Sequence, residues 1–274
     1  MSLSVVIITR NEERNIGRTL ASVAWADERI IVDSGSADRT LEIAREQGAK
    51  VFAESWKGYA QQKNSAIAKA SSDWILSIDA DEEVSAELAE SIRRVVSDPT
   101  SNVAGYFIAR RNLFLGRWIR YGGFYPDRKL RLSRRGTGQF VERAVHETMR
   151  VEGPTAALEG DLIHNAYPTL TAYIESMNRY SSLGAEVALQ KGQVSDSWLS
   201  FLVNVYYRPA LNFSWNYFFR LGFLDGREGY LLHLYHNVYV SWKYAKAWEA
   251  ARNQTISDRA IGDKQNQDNS KFLI

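Results

Sequence analysis

The chain reads Trp74-Ile-Leu-Ser-Ile-Asp79-Ala-Asp81-Glu-Glu83, an apolar run that ends in two carboxylates spaced by one residue and two further acids. The run has the composition of a buried strand, and the acids follow its last apolar position. Like charges packed at a strand end repel each other unless a cation lies among them. A divalent cation with oxygen ligands is the natural partner; a solvated acidic turn is the alternative for an isolated Asp-x-Asp.

Strand and helix signals alternate along the first hundred residues. Apolar runs at 3–9, 29–32 and 50–53 precede the run at 74–78, and helix-forming segments of roughly ten residues lie between them. Such alternation predicts βαβ units, a mostly parallel sheet and an α/β fold. Ligands of these folds bind at the carboxyl ends of the strands, where the acids lie.

Polar residues also follow the first two strands. Thr9 begins the cluster Thr-Arg-Asn-Glu, and Asp33 begins Asp-Ser-Gly-Ser-Ala-Asp. Asp33 can accept hydrogen bonds from a base or a ribose, and Gly35 allows close approach of the backbone. An ordinary strand-to-helix loop with a helix cap is the alternative for this second cluster. Lys63, on the helix before the fourth strand, could reach a diphosphate, although a solvated lysine is the simpler interpretation.

Several function classes are excluded by what the sequence lacks. It contains no cysteine, which excludes disulfides, thiolate metal sites and a cysteine nucleophile. No Gly-x-Gly-x-x-Gly follows the first strand, which argues against a dinucleotide-binding site. The sequence also contains neither a phosphate-binding P-loop motif nor the Gly-x-Ser-x-Gly motif of a nucleophile elbow. A metal held here would be an oxygen-ligated Mg²⁺ or Mn²⁺.

The net charge of +2 hides a strongly basic segment. Residues 110–135 contain nine Lys and Arg side chains and a single acid. Arginines bind phosphate in bidentate geometry, so we expect contact with an anionic acceptor or membrane, with a solvated face as the alternative. No nucleic-acid-binding motif is present, and we expect no nucleic-acid partner. The residues expected to contact acceptor or phosphate are Trp118, Tyr125, Arg128 and Arg131.

These motifs together resemble the GT-A glycosyltransferases of family 2. The resemblance rests on Val-Val-Ile-Ile-Thr-Arg-Asn-Glu, Ile-Val-Asp-Ser-Gly-Ser-x-Asp-x-Thr, Gln-Lys-Asn and the acidic strand end, and it covers about residues 3–110. Shorter matches at 127–132, 145–147 and 224–226 are similar to the bacterial lipopolysaccharide-core β-glucosyltransferase branch. One departure is Ser34, where many family members have a second Asp after Asp33.

The resemblance implies a role for each site residue. Asp79 and Asp81 would bracket Mg²⁺ or Mn²⁺ on the diphosphate, and Lys63 and Asn64 would approach the diphosphate or sugar. The nucleotide pocket would be lined by Thr9, Asn11, Glu12, Asp33 and Asp38.

Inverting transfer also needs a base that deprotonates the acceptor hydroxyl. Glu147, in the Val-His-Glu run, is the candidate base, with Glu142 and Asp81 as alternatives. His146 could bind the metal or the diphosphate. A packed loop histidine and a surface acid are the alternative interpretation, and His164 is expected to be structural.

The C-terminal third differs in character. Sixteen of the 33 aromatic residues lie between Trp198 and Trp248. Shallow insertion into a membrane, internal packing and contact with a second subunit all remain open. We predict a catalytic domain over 1–168, with a nucleotide-binding half of about 1–100 and an acceptor half of about 101–168. A helical extension over 169–250 and a disordered polar tail over 251–274 would follow.

The expected function is transfer of a hexose, most simply glucose, from a UDP-sugar to a membrane-anchored glycolipid such as the lipopolysaccharide inner core. The glycolipid follows from the resemblance alone. A polyprenyl-phosphate or polysaccharide acceptor is one alternative, and a non-catalytic sugar-nucleotide-binding or membrane-adaptor protein is another. No secretion signal is recognised at the start, so we expect a cytoplasmic, peripheral protein at the inner face of the membrane.

Overall fold

A computed structural model of the protein describes residues 1–142 and 147–271. The chain divides into two compact units, Met1–Pro168 and Thr169–Ile274. The elements of the first unit are β1 (Leu3–Thr9), α1 (Ile16–Ser22), β2 (Glu28–Asp33), α2 (Thr40–Glu46), β3 (Lys50–Ala53), α3 (Tyr59–Ala68), β4 (Trp74–Asp79), β5 (Glu82–Val84), α4 (Ala86–Ser97), β6 (Gly105–Phe114), β7 (Arg117–Trp118), β8 (Asp127–Arg134), β9 (Gly138–Val141), β10 (Thr148–Val151) and β11 (Thr155–Tyr167).

The main sheet of this unit has the strand order β3-β2-β1-β4-β8-β6-β11-β5, with β7 paired to β6. The first four strands are parallel to one another. Beyond them the sheet is mixed, because β8 runs antiparallel to both β4 and β6 while β11 is parallel to β6. Strands β9 and β10 form a separate antiparallel pair. The α/β fold class predicted from the sequence is confirmed, and its parallel character is concentrated in the first half.

The parallel strands β1, β2 and β4 are buried on both faces, which explains their nearly continuous apolar sequences, whereas the edge strand β3 is mostly exposed. Side chains of β1 and β4 that point to opposite faces enter two separate clusters, one including Val5 and Leu76 and the other Val6 and Ile75. Burial on both faces leaves only the strand ends for polar chemistry. Helix α4 closes one face with an amphipathic stripe, and the Ser85 hydroxyl caps it by accepting from the Leu88 amide at 3.2 Å.

The second unit is helical. It comprises α5 (Leu170–Gln190), α6 (Trp198–Leu202), a π-helical segment Val203–Tyr207, α7 (Arg208–Ser214), a second π-helical segment Trp215–Phe219, a short 3₁₀ turn Gly222–Asp225 and α8 (Gly226–Lys271). Small residues let α5 and α8 approach closely, with Ala185, Ala188 and Ala247 in one buried cluster. No helix in the described part of the chain is both long enough and apolar enough to cross a membrane.

The predicted polar tail over 251–274 is described by the structure as far as Lys271. In the structure α8 continues to Lys271. Residues 251–271 contain no proline and only one glycine, so the backbone has no strong helix breaker there.

Candidate active site

Three strand ends meet at the carboxyl edge of the parallel sheet. Thr9 lies opposite Asp33 in the β1–β2 ladder, and Ile8 lies opposite Asp79 in the β1–β4 ladder. The hydroxyl of Thr9 is buried and makes no hydrogen bond to any residue that the structure describes. A buried, unpaired hydroxyl at this edge is a group that a bound ligand can satisfy.

The two loops at this edge are interlocked. The Asn11 amide donates to the Ser36 hydroxyl at 2.9 Å, and the Asn11 side chain accepts from the Ala37 amide at 2.8 Å. Asp38 accepts from the Glu13 amide at 3.1 Å and also from Thr40. Asn11 and Asp38, both predicted to bind nucleotide, therefore shape the loops of the pocket.

Asp33 is almost fully buried and organises its own turn. One carboxylate oxygen accepts from the amides of Gly35 and Ser36, each at 2.9 Å, and the other accepts from the Ser36 hydroxyl. Gly35 has a φ of +95°, a conformation that glycine adopts without steric cost. This accounts for the Asp-x-Gly-Ser spacing in the sequence.

Negative charge is concentrated around Glu12. Burial raises the pKa of this carboxyl, and the charges of Asp81, Asp38 and Asp79 raise it further, against a hydrogen bond from Asn15 that lowers it. Several carboxylates therefore lie near one another at this edge of the sheet.

Asp79 is held between two buried cations. Its carboxylate oxygens lie 2.7 Å from Lys63 Nζ and 2.6 Å from Arg131 Nη2. Burial raises the pKa of Asp79, but Arg131 and Lys63 outweigh it and hold that pKa well below its usual range. Both oxygens of Asp79 are thus engaged by the protein's own cations, and its role as a metal ligand stays a prediction.

Lys63 also reaches the predicted base. Its ammonium lies 2.6 Å from Glu147 Oε1 and 5.1 Å from the centre of the Phe140 ring. Burial raises the pKa of Glu147, and the charge and hydrogen bond of Lys63 lower it below the ordinary value. Glu147 is consequently ionised at neutral pH and oriented by Lys63.

Arg131 owes its position to an irregularity in β8. Leu132 pairs with Tyr106 and Leu130 with Phe107, so Arg131 is the extra residue of a β-bulge. A bulge redirects a side chain, and this one turns Arg131 toward Asp79 and toward Glu82, whose Oε1 lies 2.9 Å from Arg131 Nη2.

Glu82 links the acidic strand end to the basic segment. Its side chain is fully buried, and its second oxygen accepts from the backbone amide of Asp79 at 2.9 Å. Arg110 lies 3.4 Å from Glu82 and 2.6 Å from Asp127. Part of the basic segment therefore neutralises buried acids of the site.

Asp81 has a different environment from Asp79. Its Oδ2 lies 3.3 Å from Nε2 of His164, whose other ring nitrogen lies 2.8 Å from the Asn112 side chain. A carboxylate and an imidazole nitrogen facing one another fit a divalent cation, and Mg²⁺ typically takes one or two carboxylates and completes its shell with phosphates and water. Within residues 1–142 and 147–271 no group of three or more acidic or histidine side chains forms a metal site.

Asn64 fixes the loop that carries the base. Its side-chain amide donates to the Phe140 carbonyl and accepts from the Phe140 amide, each at 2.8 Å. Phe140 pairs with Met149 across the β9–β10 ladder. Both polar atoms of Asn64 thus help to hold β9, and its contact with a diphosphate stays a prediction.

The aromatic residues predicted to contact the acceptor pack against each other. Trp118 and Tyr125 have ring centres 5.1 Å apart, and the guanidinium groups of Arg111 and Arg120 lie over the Trp118 ring at 4.1 and 4.3 Å. The Tyr125 hydroxyl donates to Asp161 at 2.9 Å. Arg128 is exposed. Predicted residue His146 lies outside the described residues.

The sequence did not identify Glu82, Arg110 or His164 as site residues. His164 is brought to the site because β11 pairs with both β5 and β6, so that it lies opposite Glu82 and Asn112. These pairings join segments about 50 to 80 residues apart along the chain. In the sequence, only the alternation of apolar and polar residues along β11 indicated the face of the sheet on which His164 lies.

Comparisons with known proteins identify the family of the chain. The family model described as "Glycosyl transferase family 2" matches residues 4–153. The lipopolysaccharide core biosynthesis glycosyltransferase LpsC of Rhizobium meliloti is 32% identical over 200 residues, covering 70% of this chain and 74% of LpsC. An uncharacterized glycosyltransferase of Rickettsia typhi is 30% identical over 250 residues, covering 84% of this chain and 80% of that protein.

Among solved structures, the mannosyltransferase PcManGT from Pyrobaculum calidifontis in complex with GDP-Man and Mn²⁺ is 15% identical, with a TM-score of 0.49. The match covers 89% of this chain and 86% of PcManGT. The family model spans more than half of the chain, and LpsC exceeds 30% identity over more than two thirds of it. The chain therefore belongs to glycosyltransferase family 2, as the resemblance of its motifs implied.

Proposed function

We propose that this protein is an inverting hexosyltransferase that moves glucose from a UDP-sugar to a membrane-anchored glycolipid, such as the inner core of lipopolysaccharide, at the cytoplasmic face of the membrane. The observation that carries the proposal is the convergence of Thr9, Asp79 and Asp81 at one sheet edge beside the paired Lys63 and Glu147. The glycolipid acceptor is supported by similarity to LpsC, a lipopolysaccharide core biosynthesis enzyme by name.

The donor pocket is proposed at the interlocked loops. The unpaired Thr9 hydroxyl and the buried Asp33 would contact the nucleoside, because they lie at the ends of neighbouring parallel strands. Mg²⁺ or Mn²⁺ would be held by Asp81 and His164, and when bound it would neutralise charge on the diphosphate leaving group. Asp79 is better assigned as the anchor that keeps Lys63 and Arg131 in place.

The base remains Glu147 in this proposal. A carboxylate that is ionised at neutral pH and fixed by a buried ammonium group is ready to accept the proton of an acceptor hydroxyl. Lys63 limits its basicity, because each unit by which the pKa of the base falls weakens proton acceptance.

The test compares the wild type with Asp81→Asn and Glu147→Gln. UDP release would be measured with a panel of UDP-, GDP- and dTDP-sugars, with and without Mn²⁺, using a lipopolysaccharide inner-core acceptor. We expect metal-dependent turnover with UDP-glucose, loss of metal dependence and activity in Asp81→Asn, and a large fall in kcat at little changed donor KM in Glu147→Gln. Full activity in Glu147→Gln would indicate that Glu142, and not Glu147, acts as the general base. UDP-sugar binding without turnover on any acceptor would favour the non-catalytic alternative.

A further inference from the structure

The helical stretch from Trp198 to Phe219 carries a row of exposed apolar side chains at every fourth position. An α-helix has about 3.6 residues per turn, so a spacing of four normally drifts around the helix. Here one π-helical segment, Val203–Tyr207, joins α6 to α7, and a second, Trp215–Phe219, follows α7. Each π-helical turn contains about one residue more than an α-helical turn. The average turn is thereby close to four residues, which keeps one stripe on one side. The stripe consists of Leu199, Val203, Tyr207, Leu211, Trp215 and Phe219, all of them exposed.

The other side of this stretch is occupied by its own unit. The ring centres of Phe201 and Trp248 lie 5.2 Å apart, and those of Tyr217 and Tyr230 lie 5.8 Å apart. The partner residues in both contacts belong to α8. The stripe is therefore the outward face of a helix whose inward face is already packed.

The charges around the stripe are of one sign. Residues 197–224 contain Arg208 and Arg220 and no Asp or Glu. Both arginines are exposed. Arg208 donates a hydrogen bond to Tyr244, and Arg220 donates one to Asn216. A guanidinium group has five N–H donors, so each arginine has further donors to offer a ligand. Two copies of the stripe packed about a twofold axis would bring these arginines together without a local acid to pair them. An anionic lipid surface supplies both an apolar layer and phosphate groups.

We propose that the stripe is a docking surface for a bilayer with anionic headgroups. Its leucine, valine and aromatic side chains enter the boundary between headgroups and acyl chains, and Arg208 and Arg220 pair with lipid phosphates. The helix lies in the plane of the surface, since its inward face remains bound to α8. This inference does not depend on the transfer reaction, because it concerns lipid binding without substrate.

The test is vesicle co-sedimentation of the full chain without donor or acceptor. Vesicles of phosphatidylcholine containing phosphatidylglycerol are compared with vesicles of phosphatidylcholine alone. The stripe variants are Leu211→Glu and Phe219→Glu, at side chains 68% and 72% exposed. The matched control is Leu183→Glu on α5, which introduces the same charge at an exposed apolar residue of the same unit, outside the stripe.

We expect binding to the anionic vesicles, on the order of tenfold weaker or more in each stripe variant, and unchanged in the control. Circular dichroism would verify that the variants remain folded, and quenching of tryptophan fluorescence by brominated lipids in the wild type provides a readout that needs no variant. Equal binding by the stripe and control variants, or absence of quenching, would overturn the proposal. So would a wild-type dimer that Leu211→Glu converts to monomer without any effect on lipid binding, because the stripe would then be a self-association surface.

Discussion

Replacing Asp79 by Asn should destabilise the protein much more than the same replacement at Asp81. Asp79 accepts from Lys63 at 2.7 Å and from Arg131 at 2.6 Å, and both cations are at least 94% buried. Removing one charge from a buried pair costs about 3–5 kcal/mol when it leaves the partner uncompensated. Here each cation keeps a second carboxylate, Glu147 or Glu82, so we expect a loss of about 2–4 kcal/mol. That corresponds to a fall in Tm of roughly 5–15 °C for a chain of this size.

Asp81→Asn is the matched control for this experiment. The two side chains are about equally exposed, at 28% and 27%, but the Asp81 carboxylate faces the ring of His164 at 3.3 Å instead of two buried cations. A partly exposed pair of this kind contributes about 0–1 kcal/mol. Thermal unfolding followed by circular dichroism would measure the difference, and Mn²⁺ titration would show whether Asp81→Asn loses metal affinity while folded. An Asp79→Asn variant no less stable than Asp81→Asn would refute the assignment of Asp79 as an anchor.

Two further predictions concern stability. Burial alone would raise the pKa of Glu28, but hydrogen bonds from Lys50 and from serine groups lower it from 4.5 to about 2. The corresponding stability, about 3 kcal/mol, is fully present above pH 4.5 and is lost as the pH falls toward 2. Urea midpoints of wild type and Glu28→Gln should therefore differ most near pH 6 and converge near pH 2, and a constant difference would contradict this. Asn64→Ala should cost about 1–3 kcal/mol by leaving Phe140 backbone groups unpaired, and should lower kcat by releasing β9; an unfolding midpoint equal to wild type would argue against that role.

The parallel half of the fold could be predicted from the sequence because its signals are local. Strands β1, β2 and β4 are apolar runs buried on both faces, and each lies where the sequence shows an apolar run. The mixed half could not be predicted in the same way. The insertion of β8 between β4 and β6 pairs residues 17 to 60 positions apart along the chain, and no short pattern specifies such pairing.

The candidate site was predictable to the level of residue type and strand end, and no further. The sequence placed polar residues at the ends of β1, β2 and β4, and the ladders bring them to one edge. Their partners depend on the remote half of the unit. Arg131 reaches Asp79 through a bulge, which breaks the alternation that would otherwise indicate the direction of a side chain.

The two aspartates of the Asp-x-Asp run show that residues of one motif can have different surroundings. They are two residues apart and equally exposed, yet Asp79 faces Lys63 and Arg131 while Asp81 faces His164. A carboxylate that already lies between two cations gains less from a metal ion than one that faces an imidazole ring. We therefore propose Asp79 as a structural anchor and Asp81 as the metal ligand of this run. The distinction arises from β8, α3 and β11, which supply the partners, and it becomes testable by comparing identical substitutions at the two positions.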